Sequence, residues 1–265
     1  DVLDEPLEIL GHPVASLYCA TTTDIATLAV RLIDVAPDGT AALVTKGVLN
    51  LTHRDSHTDP SPLTPGEVYA LQIELDATCW RFAPGHRIRL SIAAADFPNS
   101  WPSPKPHTGR LYFGGARGAH LSLPLLPPQP EPLQGPVFRP PTPYEPQTAS
   151  YSDKPIWSVT RDHIAGSASV RIGTSGRSRI SDSVELTRSA DATATVSEAD
   201  PAHATIQCVN QVVLHWPQRT IETTARAQIE STATTFQVTI QLAITMGGLP
   251  YHTRQWTRSI PRHLV

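Results

Sequence analysis

Apolar and polar residues alternate along most of this chain, and no segment shows the three-to-four spacing of a convincing helix. Within the first 126 residues, "VASLYCA" (14–20), "ATLAVRLIDV" (26–35), "AALVTKGVLNLTHRD" (41–55), "EVYALQIEL" (67–75), "RIRLSIAAA" (87–95) and "HLSLPLL" (120–126) read as strands. Between them stand turn sequences. "APDGT" offers Pro37 at a pre-bent position and Gly39 for positive φ, and "PLTPGE" and "APGHR" serve the same end. Gly47 interrupts one strand and is expected to mark a bulge. Ile88, Leu90 and Ile92 share one face of theirs. About seven short strands without a helix predict an all-β, jelly-roll type β-sandwich.

The other half reads more plainly. "KPIWSVTRD", "ASVRIG", "SRISDSVELTRS", "AHATIQCVNQVVLHW", "RTIETTARAQIES", "TTFQVTIQLAIT" and "YHTRQWTRSIP" set Arg, Glu, Gln and Thr against Ile, Val, Leu and Ala. That pattern predicts a second antiparallel β-rich domain, a meander with one wet face. Thirteen of the 26 prolines lie between Pro102 and Pro146. Proline donates no backbone N–H, so the densest stretch cannot keep a ladder and reads as an extended connector. The expected organisation is therefore a jelly roll over 1–126, a proline-rich linker over 127–149 and an antiparallel meander or sandwich over 150–265.

Composition narrows the function. The 265 residues are 40% hydrophobic and 17% charged, with a net charge of −3 and no long basic or acidic run. Nucleic acid and membrane surfaces are poor partners for such a chain, and no run reaches the ~18 apolar residues of a membrane span. Cys19, Cys79 and Cys208 are odd in number and set in predicted strands, so they read as reduced core thiols in a cytoplasmic protein. The lone methionine is Met246 and the chain opens on Asp1, which suggests a piece of something longer or a processed product.

Candidate chemistry is sparse. A nucleophile elbow needs G-x-S-x-G, and the one glycine pair at that spacing, Gly114 and Gly118, encloses Ala116. His86 and Asp96 lie at opposite ends of one predicted strand, about 30 Å apart at the usual rise per residue, so they do not form a catalytic pair. No catalytic residue is assigned. Gly85, His86 and Arg87 read as a structural turn tied down by side-chain hydrogen bonds. If "THRDSHTDP" were extended, His53, Asp55, His57 and Asp59 would share a face, which makes His53, Asp55 and His57 the best metal candidates; the competing reading is a solvated strand end. Cys79 has no second cysteine at ligand spacing, and neither metal nor cofactor is expected. Trp80 and Phe82 read as core. The loop "DFPNSWPSPKPHTG" (96–109), polar and stiffened by proline, displays Trp101 and is where recognition would sit.

At this point the residues resemble a known family. "PLEILGHP", "VRLIDVAPDGT", "PLTPGEVYALQIEL" and "WRFAPGHRIRLSIAAADFPNSWP" follow in the order found in the C-terminal domain of the X-Pro dipeptidyl-peptidase and cocaine-esterase family of serine hydrolases. The region 150–265 looks like the β-rich tail of some larger bacterial members. The resemblance implies a galactose-binding-like jelly roll that follows an α/β-hydrolase domain, its partner within the same polypeptide. It also implies that the Ser, Asp and His of the triad belong to that other domain. Asp96, Phe97 and Trp101 become candidates for the rim of the substrate cleft. "AAADFP" stands where the family more often has a serine-rich phrase, which leaves the loop contacts open. The expected role is thus the non-catalytic portion of an esterase or X-Pro peptidase, with possible homo-oligomer formation. The alternative is a free-standing carbohydrate-binding or oligomerisation module.

Overall fold

The computed structural model describes residues 1–114, 118–126, 135, 137–140 and 150–265. Most of the expected connector, 127–134, 136 and 141–149, lies outside the described residues. The chain divides into two compact units, residues 1–134 with 264–265, and residues 135–263. The described residues contain no α-helix.

In the first unit the strands are β1 (Leu7–Gly11), β2 (Val14–Thr21), β3 (Thr27–Val35), β4 (Ala41–Asn50), β5 (Tyr69–Glu74), β6 (Thr78–Phe82), β7 (Arg87–Ala93), β8 (Gly109–Tyr112) and β9 (His120–Ser122). All pair antiparallel. One sheet runs β5-β2-β8 with β9 also on β2, a second runs β4-β3-β7, and β1 pairs with β6. Period-two alternation directs Ala15, Leu17, Leu71 and Ile73 of the first sheet and Leu28, Val30, Leu32 and Leu49 of the second into one apolar cluster. Phe82, fully buried, joins them, and Ile88, Leu90 and Ile92 pack against the cluster from β7.

Three local expectations need correction. Gly47 is not the bulge: Leu32 pairs with Thr45 and Ile33 with Leu43, which leaves Val44 as the extra residue. Gly47 is required for a different reason, since a Cβ there would lie 2.3 Å from the Glu74 carbonyl oxygen. The strand read through residue 55 stops at Asn50. That side chain accepts from the Thr52 N–H and opens a 3₁₀ turn, Leu51–His53. Cys79 is exposed and Cys208 half-buried; among the three free thiols only Cys19 is in the core. The alternation of β6 explains the first case, because Phe82 faces in and Cys79 and Arg81 face out.

The second unit is one sheet of β10 (Ser150–Ser152), β11 (Ile156–Asp162), β12 (Ser167–Ser181), β13 (Val184–Ser197), β14 (Ala204–Trp216), β15 (Arg219–Ser231), β16 (Thr235–Met246) and β17 (Leu249–Pro261). From β12 to β17 each strand pairs antiparallel with the next, while β10 and β11 both pair with β12. The register separates two faces. One row runs Ile172, Ala192, Cys208, Ala227 and Ile240, and its neighbours are similarly apolar. The opposite face carries Arg171 on Asp191, Arg177 on Glu185, and Gln211 donating to Glu222.

Candidate functional site

On β3 and β4, Arg31 and Lys46 stand directly opposite one another. Two like charges facing across a ladder repel, and an anion between them relieves the repulsion. Asp96 supplies that anion. The chain leaves β7 and turns so that the Asp96 carboxylate, 6% exposed, accepts from Arg31 Nη2 on one oxygen and from Lys46 Nζ at 3.0 Å on the other. Asn99 Nδ2 donates to the second oxygen at 3.3 Å, and the Ser100 N–H caps the Asp96 carbonyl at 3.0 Å. Burial pushes the Asp96 carboxyl up, but the hydrogen bonds and charges of Lys46 and Arg31 outweigh it and hold the group below the usual carboxylate range.

From this anchor the loop presents two rings. Phe97 and Trp101 meet edge to face with centroids 6.1 Å apart, both half-buried, across a cis Phe97–Pro98 peptide. Pro102 and Pro104 are buried. The far end is pinned as well. Lys105 Nζ reaches both oxygens of Asp24 at 2.6 and 2.8 Å, and Thr108 and Thr22 exchange hydrogen bonds. Of the three rim candidates the structure therefore brings Phe97 and Trp101 together at the surface, and it places Asp96 beneath them as the residue that fixes the loop. Arg31 and Lys46 carried no mark in the sequence, lying 65 and 50 positions from Asp96.

At the start of β7 a separate cluster forms. Gly85 takes φ of +84° and donates to the Leu3 carbonyl at 2.7 Å, while the Leu3 N–H bonds back to the His86 carbonyl. His86 Nδ1 lies 2.8 Å from Asp34 Oδ1, and Trp80 Nε1 donates to Asp34 Oδ2 at 3.1 Å. Arg87 opens the ladder opposite Val35. A histidine–aspartate contact of this kind could orient a base, but no serine hydroxyl hydrogen-bonds a histidine among the described residues. The cluster can hold a turn against a strand. It has no nucleophile to activate.

His53 and His57 have ring centroids 5.7 Å apart. The 3₁₀ turn removes the extended face that would have aligned them with Asp55, whose carboxylate instead meets Arg54 Nε at 3.3 Å. Among the described residues no three His, Cys, Asp or Glu side chains converge on a metal position.

Residues 2–123 match the family described as X-Pro dipeptidyl-peptidase C-terminal non-catalytic domain. The protein named "Putative serine esterase Mb1866c" of Mycobacterium bovis is 35% identical over 145 residues, covering 48% of this chain and 23% of that protein. A cocaine esterase of Rhodococcus sp. is 32% identical over 142 residues, covering 48% of this chain and 24% of its own length. The chain thus spans about a quarter of the length of the curated relatives it matches. Among solved structures, an α-amino acid ester hydrolase is 28% identical over 48% of this chain and 24% of its own, with a TM-score of 0.45. No helix among the described residues is long and apolar enough to cross a membrane.

Proposed function

Because residues 2–123 belong to the family of the X-Pro dipeptidyl-peptidase C-terminal non-catalytic domain, we propose that this chain is the non-catalytic C-terminal portion of a serine hydrolase acting on esters or X-Pro peptides. The jelly roll over 1–126 braces an α/β-hydrolase domain of the same polypeptide, the segment 127–149 serves as linker, and 150–265 forms a further β domain. Phe97 and Trp101 contribute to the rim of the catalytic cleft, with Asp96 as their positioning residue. The observation that carries this reading is the anchored loop. Asp96 locked by two cations holds an aromatic pair at the surface with little freedom left to lose on contact, which is what a cleft wall requires. The free thiols support a reducing, cytoplasmic setting.

The purified 265-residue chain is expected to leave p-nitrophenyl esters and X-Pro amides uncleaved and to take up no fluorophosphonate probe. Labelling of any serine in it would end the reading. In the parent polypeptide, Trp101→Ala should raise KM for bulky acyl or peptidyl substrates by several-fold while the fold persists. An unchanged KM and kcat would remove the rim role and leave only the brace.

A further inference from the structure

The apolar face of the second unit carries His252, Arg254 and Arg258 on its β17 edge and, toward its β12 side, a separate polar patch around the exposed Arg188. The row through it runs Gly176, Arg188, Val212, Thr223 and Ile244. Paired residues of an antiparallel ladder point to the same side, so Arg188 projects between a row of Ser178, Leu186, Leu214, Ile221 and Met246 and a row of Thr174, Ala190 and Asn210. Gly176, directly across from Arg188, contributes no side chain, and a cleft of about 420 Å³ opens beside the guanidinium. Ser152, Thr174, Ser178 and Asn210 line it with Arg188.

The patch has donors and no acid. Arg171 and Arg177, on the opposite face, each sit on a carboxylate. Asp191 and Glu185, the acids of β13 near Arg188, are the ones they occupy. Arg188 makes no ion pair or hydrogen bond among the described residues, and neither do the side chains of Thr174, Ser178 and Asn210. A guanidinium fork with an amide and hydroxyls matches a carboxylate, and the leucine and valine rows beside it match a hydrocarbon chain.

We propose that this cleft takes the carboxylate of a medium-chain carboxylic acid on Arg188 and Asn210, while the chain leaves the cleft and lies over Leu186, Val212, Leu214 and Ile221, which stand beside it on the same face. The site is independent of the anchored loop and needs no catalytic partner. Isothermal titration of the full 265-residue chain with sodium laurate below its micelle concentration should give saturable binding at one site. Decanoate should bind about tenfold more weakly, two methylenes being lost. Acetate and dodecanol, each lacking one half of the match, should give no saturable heat. Arg188→Gln should weaken laurate at least about tenfold and Asn210→Ala by a smaller factor, while Arg226→Gln on the opposite face should leave it unchanged. Circular dichroism establishes that each variant keeps its strands; if Arg188→Gln loses them, Asn210→Ala alone decides. No saturable laurate binding, dodecanol binding as tightly as laurate, or laurate indifferent to Asn210→Ala and to a folded Arg188→Gln would each overturn the proposal.

Discussion

Replacing Asp96 with asparagine tests the anchor on which the loop depends. The amide keeps the shape and one acceptor but loses the charge that reconciles Arg31 with Lys46. Removing one partner of a fully buried ion pair costs about 3–5 kcal/mol, because the other charge stays behind in a poor solvent. Here both cations are 32% exposed at the side chain and regain water once freed, so the loss falls nearer about 2 kcal/mol, the worth of a charge-assisted hydrogen bond or two. For a unit of this size that lowers Tm by roughly 6–10 °C. The pH dependence is the sharper reading. The Asp96 carboxyl is depressed in the folded state, so its contribution is fully present above the unfolded value of about 3.9 and fades as pH falls through the lower folded value. Urea unfolding of wild type and Asp96→Asn at pH 7 and in a series down to about pH 3 should show a gap that narrows with acid. A gap of the same size at every pH, or none at neutrality, would refute the account of Asp96 as the charge that joins the loop to β3 and β4.

Two further outcomes follow from the geometry. Gly47→Ala should destabilise the first unit by about 2 kcal/mol or more, since the new methyl meets the Glu74 carbonyl and both strands are in the core; a change under about 0.5 kcal/mol in urea titration would show that β5 yields easily. Of the three thiols, Cys79 should react first with Ellman's reagent in the native protein. Cys208 should follow slowly, and Cys19, whose pKa burial pushes up, should react only in denaturant. Equal rates at all three would contradict the outward face assigned to β6.

The strands were legible wherever side chains alternate and the flanking turn chemistry is strong. "APDGT" and "APGHR" give real turns, with Gly39 and Gly85 both at positive φ. The second unit was the easier half, since its two faces differ along every long strand. What the chain did not disclose is what depends on partners distant in sequence. Nothing near Asp96 announces Arg31 or Lys46, and nothing near His86 announces Asp34, 52 positions earlier. Gly47 drew attention as a glycine in a strand, but whether it makes a bulge or admits a neighbouring backbone depends on where β5 runs. Period two says that Cys79 and Trp80 face opposite ways without saying which one faces in; Trp80 goes inward because Asp34 waits there for its N–H.

The two pairing schemes also differ in how far the chain must travel to satisfy them. From β12 to β17 every strand finds its mate across one short reversal, so the sheet can assemble by successive hairpins, each lengthening the last. In the first unit β2 must hold open an edge for β9, roughly a hundred residues further on. During synthesis the leading half therefore waits, incomplete, while its last strand is made, whereas the trailing half can fold almost as fast as it emerges.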